Sequence, residues 1–175
     1  MREKENKDFV INIKYKMSKT SISAIAVFDK KPILGTVRFT EDIKNDYVII
    51  DIDIKGLKKG LHGFHVHECG DISDQCESMC AHFNPYGKTH GGPEDKVRHV
   101  GDLGNLVVGA DGSVKKRMID PIIKLRGTKA NIIGRGLIIH ADEDDLGKGG
   151  EEDSLTTGHA GKRIACAVIG YAKVK

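Results

Sequence analysis

"YVIIDIDI", residues 47 to 54, alternates without a break: Val48, Ile50, Ile52 and Ile54 fall on one side, Tyr47, Ile49, Asp51 and Asp53 on the other. Successive side chains of a strand point to opposite faces, so this is a strand with one core face and one wetter face. The same short period recurs at "SISAIAVF" (21 to 28), "GTVRFT" (35 to 40), "LHGFHVH" (61 to 67), "GNLVV" (104 to 108), "SVKKRMI" (113 to 119), "GLIIH" (136 to 140) and "CAVIGYA" (166 to 172). Turn-forming stretches such as "KGLKKG" and "ADGS" separate them. No helical period is sustained, although "DEDDLG" (142 to 147) suits a short turn. The expectation is an all-β sandwich or barrel of eight strands.

A further alternation, Phe9, Ile11, Ile13, Tyr15 and Met17, precedes the main set. Residues 1–17 are therefore an N-terminal extension, read either as an extra strand or as a frayed basic tail, and residues 18–175 as one domain.

A domain of that length buries a sizeable core without metals or disulfides. Net charge is only +3, and lysines are scattered instead of clustered among aromatics, so nucleic acid is not an expected partner. No apolar run approaches a membrane span, and the N-terminal stretch lacks a signal peptide's apolar centre; the expected location is the cytoplasm. Cys69, Cys76, Cys80 and Cys166 permit three full pairings, which spacing does not separate.

Two segments are too long for ordinary connections: residues 68 to 102 and 141 to 163. Six of the eight histidines lie between 62 and 99, and His140 and His159 flank or lie within the second segment. Within "GFHVHECGD" (63 to 71), strand geometry puts His65 and His67 on one face with Phe64 and Val66 behind. Two imidazoles side by side either decorate a wet face or share a metal. Histidines crowded into an unpatterned loop favour metal-driven ordering, since coordination replaces the missing apolar core.

"GFHVHECGD", "HFNPYGKTHGGPEDKVRHVGDLGN" and "ADEDDLGKGGEEDSLTTGHAGKRIACAVIG" together resemble copper,zinc superoxide dismutase, from about Ser18 to Ala172. The resemblance implies an eight-stranded Greek-key barrel, a sandwich of immunoglobulin-like kind, with two long functional loops. It places copper on His65, His67, His82 and His140, and zinc on His82, His90, His99 and Asp102, His82 being shared. It gives Asp144 the role of a carboxylate accepting hydrogen bonds from His65 and His90, Arg163 that of the cation orienting the substrate, and Cys76 and Cys166 a disulfide. It implies that superoxide is disproportionated to dioxygen and hydrogen peroxide as copper is alternately reduced and reoxidised, with His82 storing a proton. All-imidazole ligation suits copper in both oxidation states, and three nitrogens with one carboxylate suit structural zinc.

The chain also departs from the family pattern. Where two lysines are usual near the channel, it has Asp142 and Thr156, and residues 141 to 163 carry seven acids against three bases, Lys148, Lys162 and Arg163. Weaker steering of an anion is expected. The resemblance implies a homodimer through a patch including Ile133, Gly134, Val168 and Ile169, with Cys69 and Tyr171 as atypical members, and leaves a copper chaperone as a further partner. Cys69 and Cys80 are expected as free thiols. The rival function is a copper carrier or buffer, or a chaperone domain, without turnover; retention of His65, His67, His82, His140 and Arg163 argues against it.

Overall fold

The computed structural model describes residues 21–173; the extension expected at 1–17 lies outside them. Two antiparallel sheets face each other. The first has the order β6-β3-β2-β1-β9, built from β1 (Ser23–Phe28), β2 (Leu34–Asp42), β3 (Tyr47–Lys55), β6 (Ser113–Asp120) and β9 (Gly170–Tyr171). The second has the order β5-β4-β7-β8, from β4 (Gly60–His67), β5 (Asp102–Val108), β7 (Gly136–His140) and β8 (Arg163–Val168). The chain crosses between sheets from β3 to β4, from β5 to β6, from β6 to β7 and from β8 to β9, so sequence neighbours are separated in Greek-key fashion.

The alternation of β3 works as its sequence dictates. Val48, Ile50, Ile52 and Ile54 are buried between the sheets, while Asp51 faces out and takes a two-pronged contact from Arg117 on β6, 2.6 and 3.0 Å. Phe39 and Val37 of β2, Phe64 and Val66 of β4, and Leu137 and Ile139 of β7 complete the same core. Burial of these side chains supplies the main favourable term in folding.

Three features differ from the sequence expectation. Nine strands are present among the described residues, because the run expected as a single strand over 166 to 172 starts at Arg163 and divides at Ile169. β8 pairs with β7 in one sheet and β9 with β1 in the other, so the chain changes sheets there and links their edges. Ile169 is the pivot: its N–H donates to Arg135 O (2.9 Å), its carbonyl accepts from Gly134 N (2.7 Å), and its side chain is wholly buried. It therefore contributes no surface to a dimer patch, contrary to the expectation above. Second, β4 and β7 are buried on both faces from Gly63 to His67 and from Gly136 to His140, because the long loops cover the outer face. Third, a short helix that the sequence did not announce lies at Ser154–Thr157 (α1), with a 3₁₀ turn at Glu77–Met79; the turn expected within 142 to 147 is present, closed by Lys148 N donating to Asp145 O at 3.0 Å. No helix among the described residues is long and apolar enough to cross a membrane.

Cys76 is bonded to Cys166, 90 residues away, which fastens the first long loop to β8. Phe39→Ala, which empties the centre of the core, is expected to cost about 3–5 kcal/mol; guanidinium unfolding of the disulfide-intact protein reads this as a lowered midpoint, and an unchanged midpoint would place Phe39 outside the core.

Candidate metal centre

β4 delivers His65 and His67, and the end of β7 delivers His140 from the neighbouring strand. His82 comes from the first long loop, held opposite His67 by an antiparallel bridge. A register shift between Gly63 and His65 breaks the β4–β5 ladder at this point, a device that re-aims side chains. One nitrogen from each of His65, His67, His82 and His140 falls within 4.8 Å of the others; His82, His90, His99 and Asp102 form a second such group, and His65, His90 and Asp144 a third. All of these residues are buried.

Hydrogen bonds decide which nitrogen of each ring is left over. His65 Nε2 donates to Asp144 Oδ2 (2.7 Å), His67 Nδ1 to the Cys80 carbonyl (2.9 Å), and His140 Nδ1 to the Gly161 carbonyl (3.1 Å). The opposite atoms, His65 Nδ1, His67 Nε2 and His140 Nε2, are buried with no hydrogen-bond partner, and so is His82 Nε2. Burying a polar atom without a partner costs about 1–3 kcal/mol. Four such atoms within 4.8 Å of one another make the donor set of a metal preferring imidazole.

His82 also faces the other way. Its Nδ1 lies 3.0 Å from Asp102 Oδ1, where His90 Nδ1 (3.0 Å) and His99 Nδ1 (3.1 Å) meet. Three imidazole nitrogens around one carboxylate oxygen fit a closed tetrahedral N₃O site. His82 thus belongs to both groups, one ring nitrogen to each. His62 belongs to neither: its two nitrogens lie against the His140 and Lys58 carbonyls, at 2.8 and 2.9 Å, and so face no other ring.

Asp144 joins the groups. Its Oδ2 accepts from His65 and its Oδ1 from His90 Nε2 (2.8 Å), fixing one ring of each set. Arg163 stands at the mouth of the cleft beside His67 and His140. Its Nη1 donates to the carbonyls of Cys76 (2.8 Å) and Glu77 (3.1 Å), and its Nη2 to that of Cys80 (2.6 Å). The disulfide loop therefore holds the guanidinium from behind.

The two groups differ electrically. Burial, reinforced by the neighbouring His82 ring, pushes His65 down to about 3 and His67 to about 2, and burial pushes His140 to about 4. These rings are neutral at physiological pH and offer lone pairs. Burial also lowers His90, but hydrogen bonds to Asp102 and Asp144 outweigh it and raise the group to about 9. Asp102 is held well below the usual carboxylate range: burial opposes this, and the hydrogen bonds from His82, His90 and His99 prevail.

Three positioning residues were not singled out by sequence. Arg98 is wholly buried, donates from Nη1 to the Asp102 carbonyl (2.7 Å) and pairs with Asp120 through Nη2, tying the histidine loop to the end of β6. Asn105 exchanges two 2.8 Å hydrogen bonds with the Asp144 backbone and so anchors the second loop to β5. Gly158, at φ +67°, packs where a Cβ would stand 2.1 Å from Asp144 Oδ1 and 2.5 Å from His90 Nε2. An arginine in a polar loop, an asparagine on a strand and a glycine near a helix end carry no distinguishing pattern.

Comparison with known proteins agrees with this geometry. Residues 33–169 match the copper/zinc superoxide dismutase family. A "Superoxide dismutase [Cu-Zn]" of Paramecium bursaria Chlorella virus 1 is 60% identical over 153 residues, 87% of this chain and 80% of that protein. An "Extracellular superoxide dismutase [Cu-Zn]" of Brugia pahangi is 50% identical over 167 residues, 93% of this chain and 82% of that protein. A solved structure titled as the clock protein EA4 superposes with a TM-score of 0.84 at 44% identity, covering 89% of this chain and 98% of that one. A two-sheet fold carrying paired imidazole sites defines a metalloprotein of the dismutase class. The chain belongs to the copper/zinc superoxide dismutase family.

If the group of His82, His90, His99 and Asp102 takes zinc, uptake should be pH-dependent through His90. In the metal-free protein this ring keeps its proton at pH 7, and a metal at Nδ1 must displace it. Apparent zinc affinity is expected to rise roughly tenfold per pH unit up to about pH 9 and then level off. Calorimetry in buffers of different ionisation enthalpy should show about one proton released at pH 7. An affinity flat between pH 7 and 8 would contradict the assignment.

Proposed function

We propose that His65, His67, His82 and His140 hold copper, that His82, His90, His99 and Asp102 hold zinc, and that Arg163 draws and orients superoxide beside the copper group. The observation that carries this reading is the set of unpartnered buried nitrogens on His65, His67, His82 and His140, all aimed at one point beside the guanidinium. The protein is a superoxide dismutase that uses copper and zinc. Copper supplies, when bound, a one-electron centre that can accept and return an electron.

The chain's own residues do the rest. β4 and β7 fix the rings on rigid strands instead of loops. Asp144 and the carbonyls of Cys80 and Gly161 set the tautomers, so that the lone pairs point inward. The planar Arg163 guanidinium is a cation fixed at the cleft and attracts a small anion into it. His82 Nε2 is the buried atom at which a proton can be held and passed to a departing peroxide.

The mouth is less cationic than its count of bases implies. Lys148 is engaged with Asp95 at 3.0 Å, and the carboxylates of Asp153 and Glu77 line the cleft with Arg163, while Asp144 is buried between the histidine groups. Slower electrostatic steering follows. The proposal extends to a homodimer in the cytoplasm. Exposed Val168 and Tyr171, with Ile133, support an association patch.

Superoxide decay followed by pulse radiolysis tests the site. Arg163→Ala should retain both metals and lose roughly tenfold in rate, about 1.4 kcal/mol of barrier. His140→Ala should lose copper binding and turnover together while zinc remains. Full metal occupancy without turnover in the unaltered protein would favour a copper carrier. Thr156→Lys should accelerate the reaction at low ionic strength, with the gain shrinking as salt shortens the Debye length to about 10 Å at 0.1 M; a gain that survives high salt would refute steering.

A further inference from the structure

We propose that Cys69 and Cys80 form a second, reversible disulfide, closed by hydrogen peroxide and reopened by small thiols, which fixes the ledge of backbone behind His67 and Arg163. Their sulfurs are 2.8 Å apart, inside ordinary van der Waals contact of two sulfur atoms. The backbone brings them together. His67 bridges antiparallel to His82, Glu68 N donates to Ala81 O (2.9 Å), and Cys69 N donates to Met79 O (3.1 Å). Continuing that register by two residues sets Cys69 directly opposite Cys80, and facing side chains of an antiparallel pair lie close enough to bond. Cys80 sits at φ +63°, in the left-handed region, and Cys76–Cys166 is already formed nearby, so this pair is separate from the structural bridge.

The site is placed to receive an oxidant. Cys80 is exposed and lines the cleft with His67, His140 and Arg163, whereas Cys69 is half-buried. The Cys80 sulfur attacks one oxygen of peroxide, breaking the O–O bond; the sulfur is oxidised to the sulfenic acid and the other oxygen leaves as water. The Cys69 sulfur then displaces that hydroxyl, which departs as a second water, and the S–S bond forms. Overall two thiols and one peroxide give one disulfide and two waters. Two molecules of a small thiol reverse it by exchange and leave as their own disulfide. That the peroxide arises at this cleft rests on the dismutase reading; closure of the pair does not.

The consequence lies in the Cys80 carbonyl, which accepts from both His67 Nδ1 and Arg163 Nη2. Closing the bond pins that carbonyl to β4 through Cys69 and so restrains a ligand ring and the guanidinium together.

The test uses the metal-loaded protein, treated with one equivalent of added peroxide, then alkylated and mapped by mass spectrometry, so it is independent of turnover. A Cys69–Cys80 cross-link is expected, two hydrogens lighter, with Cys76–Cys166 unchanged and hydrogen exchange over residues 77 to 82 slowed severalfold. In Cys69→Ser, the expected product is a sulfenic acid at Cys80 trapped by a dione reagent, with no slowing of exchange. Two thiols still alkylated, a sulfinic acid at Cys80 beside a free Cys69, or a cross-link from either residue to Cys76 or Cys166 would each overturn the proposal.

Discussion

An imidazole has two nitrogens, and burial makes the surroundings of both matter. In His62 each nitrogen lies against a protein carbonyl, at 2.8 and 2.9 Å, so neither is open to a shared ligand. In His65, His67 and His140 protein acceptors satisfy one nitrogen only and leave the other aimed at a shared point. The rest of the site depends on this incomplete pairing. It fixes tautomers, directs lone pairs, and makes burial useful, because the same desolvation that would be costly for a charged ring keeps these rings neutral and able to ligate.

Asp144 carries that constraint across to the second group. A single carboxylate accepts from His65 and His90, while His82 turns one nitrogen toward each set. The two groups are thus mechanically one unit, anchored to the barrel by Asn105, Arg98 and the Cys76–Cys166 bond. The first loop sends Phe83 and Val100 into the barrel's core, and the polar ties fix the histidine-bearing stretches above that packed base.

Much of this was legible in the chain. Period-two alternation locates β3 because one of its faces meets water and the other the core, and the contrast survives in the residue types. The same rule places His65 and His67 on one face of β4 with Phe64 and Val66 in the core behind. The division at Ile169 was not legible: a continuous apolar run gives no sign that its first half pairs with β7 and its second with β1. Nor was the double burial of β7, since the covering loops are polar and carry no periodic signal. The roles of Arg98 and Gly158 depend on three-dimensional proximity alone, and the contact between Cys69 and Cys80 appears only once the bridge between His67 and His82 sets the register.

The most direct measurement is anomalous diffraction at the copper and zinc edges from crystals of the fully metal-loaded protein. Two separate peaks are expected, flanking the His82 ring: a copper peak on its Nε2 side among His65, His67 and His140, and a zinc peak on its Nδ1 side among His90, His99 and Asp102. A copper peak remote from His82, or a His82 ring touching only one metal, would contradict the shared centre.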